Sequence, residues 1–182
     1  MSRTLLNRSL DEWHSALLRF RTVRDLDTVD LKLLLALAGN PRATTVALAD
    51  SLGLSRNTVQ ARMTALTRAG TFLDYDRCID PGAAGYPLVA FTTLHVKQQM
   101  LKPIVEALTR IPEIVQAHGL SGSADLLVRI VCTSAEDLFR VNAAMLAVPG
   151  VERAETAMGI SEVIPYRITP LLESRLEDEA AR

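Results

Sequence analysis

Residues 44–70 read TTVALADSLGLSRNTVQARMTALTRAG, and this stretch decides how the rest of the chain is parsed. It divides into two short helices around a glycine turn. Thr44 or Thr45 caps the first, whose apolar side holds Val46, Leu48, Ala49 and Leu52. Gly53 supplies the left-handed backbone that ends it, and the Ser55 hydroxyl accepts from the free N–H groups that open the second. There Val59, Met63 and Leu66 fall four and three apart, which makes one buried stripe. Arg56, Asn57, Gln60, Ala61, Thr64 and Arg68 fall on the opposite side. Their amides, hydroxyls and guanidinium groups are the chemistry that meets base edges and phosphates. An apolar helix, a glycine turn and a Ser-capped polar helix form a helix-turn-helix pattern, with a plain helical hairpin of a core as the alternative.

The chain has 182 residues and is 48% hydrophobic, enough for one large core or two small ones. Its net charge of −1 is not that of a nucleic-acid protein, yet the charge is unevenly placed. Residues 1–70 hold 10 Lys+Arg against 6 Asp+Glu, and residues 81–182 hold 9 against 12. The basic charge therefore sits with the helix pair, where phosphate contact needs it. Cys78 and Cys132 lack metal-ligand spacing and suit a reducing compartment. No signal peptide is legible and no apolar run reaches bilayer length. The expectation is a cytoplasmic protein with no membrane partner, no metal and no cofactor.

Upstream, Leu6, Leu10, Trp13, Leu17 and Phe20 mark a helix with a narrow apolar seam, followed by the basic cluster Arg19, Arg21 and Arg24. Asp27 caps the next helix and Asp30 suits the positive end of its dipole; Val29, Leu33, Leu34 and Leu37 form its buried side. Gly39-Asn40-Pro41 stops it. After Gly70, residues 71–80 alternate well enough to predict an extended strand or strand pair, the wing of a winged helix. Residues 81–85, PGAAG, form a linker.

The second half has a different rhythm. Strands are predicted over residues 88–96, 115–120, 126–132 and 151–158. Helices are predicted over residues 100–111 and from the Ser134 capping box through Leu138, Val141 and Met145 to Pro149-Gly150. Ser121-Gly122-Ser123-Ala124 turns a hairpin between the middle strands. The order β-α-β-β-α-β is the ferredoxin-like arrangement, in which helices cover one face of an antiparallel sheet. The other face must also be covered, and a second copy is the simplest cover, so an obligate homodimer is expected. The fold class is α+β. The expected domains are an N-terminal helical extension (1–25), a winged helix-turn-helix domain (26–80), a linker (81–87), a ferredoxin-like sensing and oligomerisation domain (88–165) and a C-terminal tail (166–182).

Specific residues in this arrangement resemble the Lrp/AsnC (leucine-responsive, feast/famine) transcription regulators. They are Leu26-Asp27-x-x-Asp30, Asn40-x-Arg42, Leu48-Ala49 through Leu54-Ser55, Thr58-Val59-x-x-Arg62 and Gly70. Asp80-Pro81, Gly85-Tyr86, Pro112-Glu113-x-Val115, Gly122-x-x-Asp125 and Pro149-Gly150-Val151 with Thr156 continue the likeness, which runs from Leu26 to Pro165. The resemblance implies a sequence-specific regulator that binds double-stranded DNA, dimerises, assembles into tetramers or octamers, and takes an amino-acid-like effector at an oligomer contact. It implies DNA contact through Thr44, Ser55, Arg56, Asn57, Thr58, Gln60, Arg62 and Arg68. It implies effector contact through Leu120, Gly122, Ser123, Ala124, Asp125 and Thr156. Two positions depart from the family: Ser123 and Ala124 replace bulky or aromatic residues, and Ala154 replaces a frequent Thr. Met1 to Arg24 extends beyond the usual family start.

At this level some roles stay open. Arg62 either anchors the recognition helix to phosphate or reads a base. Asp125 either holds an effector's ammonium group or bonds its own hairpin. His14, His95 and His118 are ordinary surface or half-buried residues. An enzyme is the alternative from another class, since haem-pathway (siroheme-type) decarboxylases resemble the same architecture. The sequence lacks the cluster of positioned acids or cations such an enzyme needs. A sensor acting only through protein contact would need a degraded helix-turn-helix, and residues 44–70 are intact.

Overall fold

Helix α1 (Thr28–Gly39) starts where Asp27 accepts a hydrogen bond from the Asp30 amide at 2.9 Å, as the capping pattern requires. The computed structural model describes residues 25–181, so the expected seam from Leu6 to Phe20 and its basic cluster lie outside the described residues. The described residues form two units, one of residues 76–163 and one of residues 25–75 with 164–181.

In the second of these, α1 is followed by α2 (Thr45–Leu52) and α3 (Arg56–Arg68). Thr44 caps α2 through the Ala47 amide at 3.2 Å, Gly53 ends it at φ 64°, and Ser55 caps α3 through the Thr58 amide at 3.1 Å. The core of this unit holds Leu31, Leu33, Leu34, Leu48, Ala49, Val59 and Leu66, with Met63 and Leu52 packed against it. Val46, expected on the buried side of α2, is 39% exposed instead, while Leu48 and Ala49 are buried.

Two further expectations are corrected. Residues 71–80 form no strand; they bend and then make a short 3-10 turn, Tyr75–Cys78. Alternating apolar residues are insufficient without a second strand to bond, and Phe72, Leu73, Tyr75 and Ile79 stay exposed. Residues 166–182, read as a tail, contain a helix, α6 (Thr169–Ala180), with Pro170 in its first turn. It packs on α1 and puts Leu172 and Leu176 into the core of the helix-turn-helix unit.

The other unit is the antiparallel sheet with two helices. Its elements are β1 (Leu88–Val96), α4 (Leu101–Leu108), β2 (Ile114–Gly119), β3 (Leu126–Cys132), α5 (Ala135–Leu146) and β4 (Val151–Gly159), and the strand order is β2-β3-β1-β4. The expected ferredoxin-like topology is present. Alternation along β1 and β3 sends Ala90, Leu94 and Val96 with Leu126, Val128, Ile130 and Cys132 to one face. Ile104 and Leu108 of α4 and Leu138, Val141 and Met145 of α5 cover that face. The register sets Phe91 between Arg129 and Ala157, and Thr93 between Leu127 and Glu155, on the other face. Among the described residues α4 and α5 both pack on the opposite face, and Phe91 is 42% exposed. Among the described residues no helix is long and apolar enough to cross a membrane.

Candidate nucleic-acid interface

The apolar stripe of α3 faces the core, so its polar residues are carried outward. Arg56, Asn57, Gln60, Ala61 and Arg68 are exposed. Thr64 is half-buried and spends its hydroxyl on the Gln60 carbonyl at 2.9 Å. Gln60, Thr64 and Arg68 join Thr45 of α2 along one open cleft. The hydroxyls of Thr44, Ser55 and Thr58 serve the helix starts: those of Ser55 and Thr58 are 2.8 Å apart, and Thr44 and Ser55 accept the capping amides. All three hydroxyls thus take part in the helix starts, while the N-termini of α2 and α3 keep first-turn amides that suit an anion.

Arg62 turns away from this surface. Its guanidinium Nη1 bonds the carboxylate of Asp27 and lies 3.3 Å from Oδ1 of Asp30, which is 1% exposed. The hydrogen bond to Asp27 raises the Arg62 pKa further above its ordinary value, against a smaller opposing effect of burial. Burial works against the charge on Asp27, but the Asp30 amide and the Arg62 guanidinium outweigh it and hold its carboxyl below the ordinary range. Sequence spacing placed Arg62 beside the buried stripe. It carried no sign that the two aspartates of α1 would claim it.

Two parts of the expected effector site separate. Leu120, Gly122, Ser123, Ala124 and Asp125 come together at the β2–β3 hairpin, where the Leu120 amide donates to the Asp125 carbonyl at 2.9 Å. Oδ2 of Asp125 accepts from the Val96 amide at 2.8 Å and Oδ1 from the Gln98 side-chain amide at 2.5 Å. These donors, the Val96 amide first, hold the Asp125 carboxyl below its usual range, against a smaller effect of burial. No atom lies within 4 Å of where a Gly122 side chain would start, so the hairpin tip is open. Thr156 is not part of this cluster. It pairs with Thr92 across β4 and β1, sits 2.8 Å from that hydroxyl, and donates to Oδ1 of Asn142 on α5 at 2.9 Å.

The contribution of α6 was not foreseen. Arg175 of that helix donates to Oδ1 of Asp25 at 3.1 Å, just before α1. The signal was available in Pro170, Leu172 and Leu176, a helix start followed by an i,i+4 apolar pair.

Two family models match the chain. A winged helix-turn-helix DNA-binding model covers residues 26–71, and an Lrp/AsnC ligand-binding-domain model covers residues 89–169. The chain is 29% identical to the HTH-type transcriptional regulator FL11 of Pyrococcus horikoshii over 131 residues, 72% of this chain and 87% of that protein. It is 30% identical to the HTH-type transcriptional regulator Ptr1 of Methanocaldococcus jannaschii, over 62% of this chain and 76% of that one. Among solved structures it is similar to the feast or famine regulatory protein of M. tuberculosis complexed with L-methionine: TM-score 0.70, 26% identity, 79% of this chain and 98% of that one. These relatives are regulators, which supports the regulatory reading over the decarboxylase alternative. The chain belongs to the Lrp/AsnC family of DNA-binding transcriptional regulators.

Proposed function

We propose that this regulator reads DNA with the outer face of α3, works as a cytoplasmic homodimer able to assemble further, and responds to an amino acid held at the β2–β3 hairpin. The observation that carries the DNA assignment is the Ser55-capped α3, whose apolar stripe is buried while Arg56, Asn57, Gln60 and Arg68 stand exposed on one helix. Asn57 and Gln60 have the paired donor and acceptor that suit adenine in the major groove, and Arg56 suits guanine or phosphate. Arg68, a turn and more away, is assigned to phosphate. We assign Arg62 to the fold, because both of its carboxylate partners belong to α1.

The effector reading is supported by the M. tuberculosis relative solved with L-methionine. The ionised Asp125 has lone pairs beyond those that accept from Val96 and Gln98, and the open Gly122 gives a ligand backbone room to approach. Leu120, Ser123 and Ala124 complete the assigned contacts, and Thr156 is left to the sheet. The dimer reading is supported by the uncovered sheet face that carries Phe91.

The test is selection of a duplex from a random pool by the full chain, followed by binding measurements with and without each of the standard amino acids. A selected consensus that Asn57→Ala and Gln60→Ala relax supports the reading. A pool that stays random overturns it.

A further inference from the structure

We propose that α6 is a working part of the DNA-binding unit: it seats the first turn of α1, and that turn seats Arg62 of the recognition helix. The inference rests on the assignment of α3 as the reading helix. Leu172 is 9% exposed and belongs to the same core as Leu31, Leu33, Val59 and Leu66, and Leu176 packs beside it. Arg175 reaches Asp25 at 3.1 Å. Two residues on, Asp27 caps α1 and bonds Arg62, and Asp30 in the first turn bonds the same guanidinium. The start of α1 thus holds three aspartates that receive one arginine from α6 and another from α3.

Each part of this arrangement has a separate task. Three carboxylates so close repel one another, and the positive end of the α1 dipole with two guanidinium groups offsets that repulsion. The Arg175–Asp25 pair is exposed, 40% and 95%, so it directs α6 rather than holding it. Leu172 and Leu176 do the holding, since they take apolar area of both α6 and α1 out of water. With α6 displaced, the α1 turn would keep its aspartates but lose the packing that fixes where they point. The seat of Arg62, and with it the tilt of α3, would then no longer be unique. Leu172 and Arg175 are positioning residues by this reading, and neither touches DNA. The chain leaves this unit after Tyr75 and returns to it at Ile164. The Lrp/AsnC ligand-binding-domain match stops at Thr169, the first residue of α6.

The test uses the full chain and the duplex it selects from a random pool, at a temperature well below the first melting transition. Leu172→Ala is expected to weaken binding by about tenfold or more, a change of about 1.4 kcal/mol or more in binding free energy. The slope of log affinity against log salt should stay unchanged, because every phosphate-binding side chain is still in place. The loss should not add to that of Arg62→Lys, because both act through the same turn. Leu172→Met should restore most of the affinity. Should Leu172→Ala unfold the unit, Arg175→Ala replaces it: a smaller loss, again non-additive with Arg62→Lys, supports the proposal. Unchanged affinity in a folded variant, full additivity, or a reduced salt slope overturns it. Failure of the unaltered chain to select any duplex would instead strike at the assignment of α3.

Discussion

Arg62 of α3 and Asp30 of α1 face each other at 3.3 Å, with the carboxylate 1% exposed and the guanidinium 33% exposed. An aspartate so buried needs a cation, and this one is supplied by the helix that carries the base-reading residues. The pair therefore joins two tasks that the sequence shows separately, closing the core and aiming α3.

The first prediction follows from that pair. Arg62→Ala removes the cation that α3 supplies to Asp30; removing one partner of a buried pair costs about 3–5 kcal/mol, and less here because the guanidinium is 33% exposed. The midpoint of urea unfolding for the DNA-binding unit should fall accordingly. Asp30→Asn should cost less, since the amide is neutral. A midpoint that Arg62→Ala leaves in place would return Arg62 to the DNA surface.

A second prediction concerns acid. The carboxyl of Asp27 is held below its ordinary value in the fold, so its contribution to stability is fully present above the unfolded pKa of about 3.9. That contribution is lost as pH falls through the lower folded value. Arg62→Ala removes one of the causes, so the acid limb of its stability curve should begin at higher pH than in the unaltered protein. Thermal melts between pH 3 and pH 7 measure this, and coincident acid limbs would contradict it.

The exposed residues of α3 behave differently. Asn57→Ala and Gln60→Ala should each cost about 1–3 kcal/mol on the selected duplex, and little on random DNA. Arg56→Ala or Arg68→Ala, where the side chain meets phosphate, should lower the salt slope by about one for each phosphate that is no longer neutralised. None of these variants should shift the melting temperature, since all four side chains stand in water. Equal losses on selected and random DNA for Asn57→Ala would remove it from the base readers.

Gly150 supplies a fourth test, this time in the sheet unit. It sits at φ 95°, and a Cβ there would meet Cδ1 of Ile104 and Sδ of Met100, both at 3.0 Å. Gly150→Ala should cost roughly 1–3 kcal/mol through the backbone strain and the crowding together. The melting temperature of the sheet unit should drop while Asn57-dependent DNA reading persists. An unshifted melt would mean the α5–β4 turn has more room than these distances allow.

Much of this molecule was legible because local rules and tertiary structure agree in it. The β-branched and aromatic run of β1 and the apolar run of β3 fall at residues 88–96 and 126–132 as read, and Asp27, Thr44, Ser55 and Ser134 all cap the helices they precede. What could not be read depends on partners far along the chain. Residues 71–80 have strand composition but no strand to pair with, so they turn. The Leu172–Leu176 pair of α6 has meaning only beside α1, which lies at the opposite end of the described chain. The pairing of Arg62 with Asp27 and Asp30 joins residues 35 and 32 positions apart, which no local pattern shows. Thr156 matched a family position, and its bonds to Thr92 and Asn142 join it to residues 64 and 14 positions away.

The last prediction concerns the open face of the sheet. Register puts Val89, Phe91 and Thr93 of β1, Leu127, Arg129 and Val131 of β3, and Glu155 and Ala157 of β4 on this side. Phe91 stands near its middle at 42% exposure, a large ring on a central strand, on the face away from α4 and α5. Ordinary β-strand alternation would leave a polar residue there if the face met water. Burying a phenylalanine side chain is worth about 1.5–3 kcal/mol, and a two-fold contact buries two of them. Phe91→Glu should replace that gain with two carboxylates facing each other in a dry interface, a repulsion far larger than the forfeited burial. The variant should run as a monomer by light scattering while keeping the helical signal of the intact fold, since Phe91 takes no part in the core beneath α4 and α5. Its affinity for a two-half-site duplex should fall much further than its affinity for a single half-site, because one protomer can no longer deliver the other. A Phe91→Glu protein that stays dimeric would place the dimer contact elsewhere on the molecule.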